Sequence, residues 1–305
     1  MSKNVSQDFE KLLLHLSQIE RERNGQIITG SPNERKFRYV RDCLCNFTQT
    51  VMKRDFNALT FDDIDKQFLQ KYVNHLNGRN VENKLQKLRR VFREANADTL
   101  VFDGVKIPVK FEDEPLSMDH TAIERIEFMN RDKLTEKEEL HLDLFLFSYY
   151  AGGMSAIDVC LLTRNQIKDD LIIYDRTKYD KQARVIIIDK AAEIIERYRT
   201  EAYMNYVFPT IKRCNPTQQK LYGRVKRINE KVNETLRKIC DHCGIKSRVT
   251  WGTARSSYIS KMIDEGFHPL QVAELAGNSP QTIYRHCYTI SDKEKVKEKM
   301  NEVFC

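Results

Sequence analysis

Through most of its length this chain repeats apolar residues at three- and four-residue spacing, and it abandons that period at two places. Such spacing marks amphipathic helices, which must bury one face against other elements. The first break, VFDGVKIPVKFEDEPLS at 101–117, holds two prolines and a glycine and has no helical period. The second, LIIYDRTKYDKQARVIIIDK at 171–190, sets two β-branched runs either side of a polar turn at Lys178–Gln182, a hairpin pattern. The expected fold is therefore mainly α with a small antiparallel β-sheet. It falls into two parts, residues 1–104 and 118–305, joined by a linker at 105–117.

In the first part Phe9, Leu12, Leu13, Leu16 and Ile19 define a helix over 8–23, and Gly25–Asn33 reads as a loop. A second helix, about 33–54, turns Phe37, Val40, Leu44 and Phe47 inward. Thr60 or Asp62 can cap a third, with Ile64, Phe68, Tyr72 and Leu76 on its core face and Gly78 at its end. The fourth, about 80–96, buries Leu85, Leu88, Val91 and Phe92 and carries Lys84, Lys87 and Arg90 along another stripe. Beyond the linker, helices are expected at 119–131 and 134–152. The second of these is so dense in apolar residues that it belongs at the centre of a core. Residues 158–165 continue as helix and turn, and helices resume at 191–206, 215–244, 253–265, 269–276 and from Asp292.

Composition narrows the function. With 41% hydrophobic and 31% charged residues in 305, the chain can bury a real core. No apolar run approaches the roughly 20 residues of a membrane span, and Met1–Asp8 has no signal-peptide pattern. Eight cysteines, mostly inside apolar patterns, read as reduced thiols, so a cytoplasmic protein without a membrane partner is expected. The net charge of +7 conceals structure: residues 1–100 carry 18 Lys+Arg against 13 Asp+Glu, and residues 201–255 carry 12 against 4. Between them, 112–143 holds 11 Asp+Glu against 4 Lys+Arg. Two basic regions flanking an acidic one suit a protein gripping a polyanion from two sides, though solvated helix faces give the same counts. The Lys84, Lys87, Arg90 stripe carries the same two readings, phosphate contact or plain solvation.

No phosphate-binding glycine loop, dinucleotide fingerprint, zinc-protease helix or serine-hydrolase elbow is present. Cys240, His242 and Cys243 lack a nearby second pair of ligands, so no metal site is expected.

One constellation remains. TWGTARSSYISKMIDEGFHPLQVAELAGNSPQTIYRHCY at 250–288 places Arg255 at a helix start, a Gly-Asn-Ser turn at 277–279, and then Tyr284, His286 and Tyr288. This stretch resembles the C-terminal box of the tyrosine recombinases (the phage-integrase family): H-x-x-R, then L-G-H, then a tyrosine nine or ten residues on. Arg255 falls on the second catalytic arginine, and Ala276-Gly277-Asn278 on the L-G-H turn. SYYAGGMSAIDVCLLTRNQI (148–167) is similar to the family's first box, and Lys178 falls on its hairpin lysine. LTFDDIDKQFLQKYVNHL with the basic helix after it resembles the helical, SAM-like core-binding domain. The likeness runs over about 8–290, four boxes in register.

The resemblance implies a core-binding domain at 1–104 and a recombinase catalytic domain at 118–305. It implies site-specific cleavage and rejoining of double-stranded DNA through a 3′-phosphotyrosine. Bond energy stays in that intermediate, so no cofactor is implied. Tetramers on DNA are implied, with accessory DNA-bending proteins as possible partners. Arg255 would hold the phosphate, Lys178 would protonate the leaving 5′-oxygen, and Asn278 would donate a neutral hydrogen bond. Tyr288 is the first choice of nucleophile. Tyr284, which reads as a packing residue beside Ile283, and Cys287 are the alternatives.

The sequence also departs from the family. Ser155 stands at the first arginine, Gly252 at the histidine of H-x-x-R, Asn278 at that of L-G-H, and Cys287 nine residues after Asn278. One integrase subgroup carries serine at that first position. Arg164 and Lys181 are candidates for the missing charge. The alternative function is a catalytically impaired DNA-binding or architectural protein on the same fold.

Overall fold

In the computed structural model the apolar faces gather into two units, Met1–Glu112 and Asp113–Cys305, each with its own core. The structure describes residues 3–23, 26–31, 33–76, 80–108, 120–177, 182–211, 218–286 and 293–304.

The first unit packs four helices: α1 (Val5–Gln18), α2 (Glu34–Thr50), α3 (Lys66–His75) and α4 (Val81–Glu94). Their periodic residues meet as the spacing requires. Phe9, Leu44, Phe47, Leu69, Tyr72 and Leu88 are fully buried, and the Phe47 ring sits edge-on to Phe68 at 5.3 Å between centroids. Asn4 caps α1 by accepting from the Gln7 amide, and Asp65 caps α3 by accepting from the Phe68 amide at 2.7 Å.

Two local expectations change here. Thr60 and Asp63 bond each other reciprocally and close a short 3-10 turn at Phe61–Asp63; Ile64 then leaves helical geometry, so α3 starts only after Asp65. The first helix also stops early. Residues expected as helix end and loop form a hairpin instead, β1 (Glu20–Arg23) against β2 (Gln26–Thr29). Its register pairs Glu20 with Thr29 and Arg23 with Gln26.

The second unit is arranged around α6 (Glu136–Tyr150). From Leu142 to Phe147 its residues are buried on every side, as an all-round apolar helix demands. A capping box of Thr135 and Glu138 starts it. Around it pack α8 (Asp189–Arg197), α9 (Gln218–His242) and α10 (Thr253–Asp264). Asp143 lies inside this core, wholly buried, and takes hydrogen bonds from Arg131, Arg197 and the Tyr198 hydroxyl. Three donors offset the cost of burying its charge.

The expected hairpin is present as β4 (Leu171–Asp175) and β5 (Gln182–Ile186), antiparallel, with Asp175 opposite Gln182. A two-residue strand, β3 (Ile167–Lys168), follows the expected helix and turn of 158–165 and pairs with β4, making a three-stranded sheet. Helix α8 is shorter than its pattern suggested. Beyond it Val207 bonds the Leu162 carbonyl and Phe208 is drawn wholly into the core, which an unbroken helix would prevent. The remaining helices are α5 (His120–Glu127), α7 (Ala156–Cys160), α11 (Pro269–Ala276), α12 (Pro280–His286) and α13 (Lys293–Phe304).

Among the described residues no helix is long and apolar enough to cross a membrane, and no cluster of His, Cys, Asp or Glu could hold a metal ion. Cys240 is buried, and the Cys243 thiol lies against the Arg125 carbonyl.

Candidate active site

The site begins with the local chemistry at the start of α10. Trp251 is buried, its amide donating to Asn233 Oδ1 at 2.7 Å, and the Thr253 hydroxyl donates to the Thr250 carbonyl. These contacts fix the first turn of the helix, so Arg255 leaves it in one direction. A second constraint comes from the turn after α6. Gly152 and Gly153 both adopt left-handed backbone, φ +69° and +68°. A Cβ on Gly153 would lie 2.4 Å from the Arg255 Cα, and one on Gly152 2.8 Å from the Leu275 carbonyl oxygen. Glycine there is a packing requirement as well as a backbone one.

Helix α11 ends on Gly277, in left-handed conformation, with the Asn278 amide returning to Ala273 O and the Gly277 amide to Glu274 O. This is a Schellman cap, and it leaves the carbonyls of Ala276 and Gly277 facing outward as acceptors. Two guanidiniums take them. Arg255 Nη1 donates to Ala276 O and, at 3.1 Å, to Asn278 Oδ1. Arg176 Nη1 donates to Gly277 O. Arg176 follows β4 directly and is only 7% exposed. It fills the space that a side chain on Gly277 would occupy, with Nη1 3.3 Å from the position of that Cβ.

A carboxylate organises the other edge. Asp158, buried on α7, accepts from the Ser155 hydroxyl at 2.7 Å and from the Thr177 amide at 2.9 Å. It thereby ties the turn holding Ser155 to the residue just before Lys178. Beneath lies Tyr174, whose phenol is pushed well above the ordinary tyrosine value by burial and by Asp158, while Arg255 and Arg176 pull it back. The region thus combines two fixed cations, a neutral amide and one tethered carboxylate. Guanidiniums have the planar donor geometry that can hold an oxyanion bidentately.

Of the expected site residues, Arg255 and Asn278 are brought into direct contact. Lys178 and Tyr288, with Lys181 and Cys287, lie outside the described residues. Tyr284 is 61% exposed, while its neighbour Ile283 is wholly buried; the packing role expected of Tyr284 belongs to Ile283, a hundred degrees away around α12. Arg164 is exposed and donates to the Arg199 carbonyl. Gly252 forms the N-cap of α10. Arg176 was not singled out in the sequence, yet a signal existed: β4 alternates, with Ile172 and Tyr174 buried, and Arg176 is next in that inward phase.

In the first unit, the basic stripe of α4 lies beside α2. Lys84 is 7% exposed with its ammonium 5.4 Å from the Tyr39 ring centroid. Lys87 is half-buried, and that burial, with Lys36 nearby, lowers its pKa. Arg90 lies over Phe37 and pairs with Glu94 at 3.3 Å.

No protein-family model matches the chain, and no curated protein matches it in sequence. Solved structures do match over nearly its whole length. The Tn1549 transposon integrase, solved in complex with a circular intermediate DNA, superposes with a TM-score of 0.65 at 13% identity, covering 99% of this chain and 100% of that one. The lambda integrase tetramer bound to a Holliday junction superposes with a TM-score of 0.62 at 12% identity, covering 96% of this chain and 79% of that one. At these identities the likeness is one of fold.

Proposed function

We propose that this chain, which has the tyrosine-recombinase fold, cleaves and rejoins double-stranded DNA through a 3′-phosphotyrosine intermediate. The observation that carries the reading is Arg255, fixed at the Ala276–Asn278 turn with its guanidinium partly open to solvent. A phosphodiester under attack gathers charge on its non-bridging oxygens, and preorganised guanidinium donors stabilise that charge without reorganising. The tyrosine phenolate attacks phosphorus, the phosphorus–tyrosine bond forms, and the bond to the 5′-oxygen breaks. The phenol has then lost one proton and the 5′-hydroxyl has gained one, so no oxidant or nucleotide enters. Lys178 supplies the proton to the leaving oxygen in this reading, and Tyr288 is the nucleophile. Asn278 orients Arg255 and can donate a hydrogen bond to phosphate, but it cannot shuttle a proton. In this reading residues 1–104 form the core-binding domain and 118–305 the catalytic domain.

The DNA-bound relatives of this fold support DNA as the substrate, and so does the α2–α4 face with Lys87 and Arg90. Replacing Lys87 with alanine should weaken binding to unrelated duplexes alike and reduce the slope of log affinity against log salt by about 1. Arg90→Ala should change that slope less, because Glu94 already compensates its charge. Helix α13 leaves Met300 55% and Val303 75% exposed, an apolar face suited to docking on another copy in a tetramer.

The test is covalent capture. Duplexes that the protein retains from a randomised pool are nicked at stepped positions, so that cleavage releases a short fragment and traps the adduct. Denaturing electrophoresis should show a shifted protein–DNA band, lost in Tyr288→Phe, with peptide mapping placing the linkage on Tyr288. Binding without any band, at every nick position, would assign the chain to the architectural reading instead.

A further inference from the structure

We infer that Arg176 is a second phosphate-binding, catalytic arginine, supplying from the end of β4 the guanidinium that Ser155 cannot. The inference rests on the recombinase reading and extends it to a residue on a different element.

A long, charged side chain with 7% exposure is uncommon and requires an explanation. Arg176 is placed there by strand alternation, in phase with the buried Ile172 and Tyr174. It is held by the Gly277 carbonyl, next along the chain from the Ala276 carbonyl that holds Arg255. Two guanidiniums therefore converge on consecutive carbonyls of one turn. Both also act electrostatically on the same phenol, that of Tyr174. Two like charges held on neighbouring carbonyls of one turn repel each other. An anion lodged between them relieves that repulsion, which makes the pair selective for a phosphodiester.

Ser155 cannot do the same. Its side chain is short, stands at the N-cap position of α7 and donates its hydroxyl proton to Asp158. Asp158 in turn holds the Thr177 amide, one residue beyond Arg176. The serine turn is thus linked through a buried carboxylate to the backbone that carries the replacement charge. Asp158 is a positioning residue; Arg176 touches the phosphate. No proton passes through Arg176, which stays charged throughout and bridges the non-bridging oxygens with its N–H donors.

Arg176→Ala and Arg176→Lys, made in the full chain, test this on the nicked duplex that wild type cleaves. Adduct formation should fall by about 10²–10³-fold in Arg176→Ala, the range for losing one oxyanion donor, with DNA affinity held within about threefold. Arg176→Lys should recover only part, since an ammonium cannot bridge two oxygens. The deciding substrate carries a methylphosphonate at the cleaved position, where a neutral methyl replaces one charged oxygen. There Arg176→Ala should come within about tenfold of wild type, a selective rescue that a merely structural role cannot produce. Equal losses on both substrates, or cleavage by Arg176→Ala within about threefold of wild type on the ordinary one, would overturn the assignment. Should Arg176→Ala unfold, the Arg176→Lys protein carries the same comparison between substrates. Absence of any wild-type adduct sinks the recombinase reading and this inference together, whereas wild-type cleavage with an unimpaired Arg176→Ala sinks this inference alone.

Discussion

Replacing Arg255 with alanine is expected to slow covalent adduct formation by about 10²–10³-fold, equivalent to roughly 3–4 kcal/mol of transition-state stabilisation, while DNA affinity changes no more than about threefold. The asymmetry follows from where the two free energies arise. Affinity for duplex DNA is a sum over many phosphate contacts along basic surfaces, so one arginine contributes little of it. Cleavage instead depends on charge that exists only as phosphorus is attacked, and Arg255 is held in place before that moment by Ala276 O and Asn278 Oδ1. Single-turnover adduct formation on a nicked duplex, alongside binding at matched salt, separates the two. Parallel losses in both would mean that Arg255 serves binding or folding rather than the chemical step.

Gly153→Ala should be nearly as damaging, by a different route. Residue 153 sits at φ +68°, where an alanine is strained, and its Cβ would stand 2.4 Å from the Arg255 Cα, an atom of helix backbone that cannot rotate away. Backbone strain of about 1–2 kcal/mol and overpacking of about 1–3 kcal/mol together predict a loss of roughly 2–5 kcal/mol. For a unit of this size that lowers the melting temperature by about 4–20 °C at about 2–4 °C per kcal/mol. Any protein that still folds must shift the start of α10, so cleavage should fall too, with DNA affinity less affected. Gly223 in α9 is the internal control: it is exposed, and nothing lies within 4 Å of a Cβ built there. Gly223→Ala should raise stability by about 0.5–1 kcal/mol, because alanine favours helix interiors. A Gly153→Ala protein as stable as wild type would show that the turn after α6 yields easily and does not hold Arg255.

Much of this was legible without coordinates, for reasons specific to each element. Helix α6 is apolar on every side, and such a segment has nowhere to go but the middle of a core. The β4–β5 hairpin was visible because β-branched runs broke an otherwise helical period. Arg255 and Asn278 could be named together because the stretch that holds them, a helix start followed by a glycine-terminated helix end, resembles the C-terminal box of the tyrosine recombinases. The failures were equally physical. The β1–β2 hairpin was hidden by an apolar period that carried on through Ile19, although Asn24-Gly25 marked a turn. Tyr284 was assigned the burial of its neighbour Ile283, since adjacent residues on a short helix point in different directions and only packing decides which one is covered.

By itself the sequence determined what each segment is and in what order the segments come: two helical units, a small sheet in the second, an arginine at a helix start and a glycine at a helix end. Those are properties of local periodicity and backbone preference, set within a few residues of each position. Only the tertiary structure decided that Arg176 and Arg255 share one turn, because their meeting depends on α11 packing against both β5 and α10. It also depends on Gly153 lying flat against α10, and on Ser155 having given its hydroxyl to Asp158. None of these contacts is local, so no period or motif around Arg176 specifies its neighbour. The serine at the first box's arginine position is legible in one dimension; the meeting of Arg176 with the turn that holds Arg255 is legible only in three.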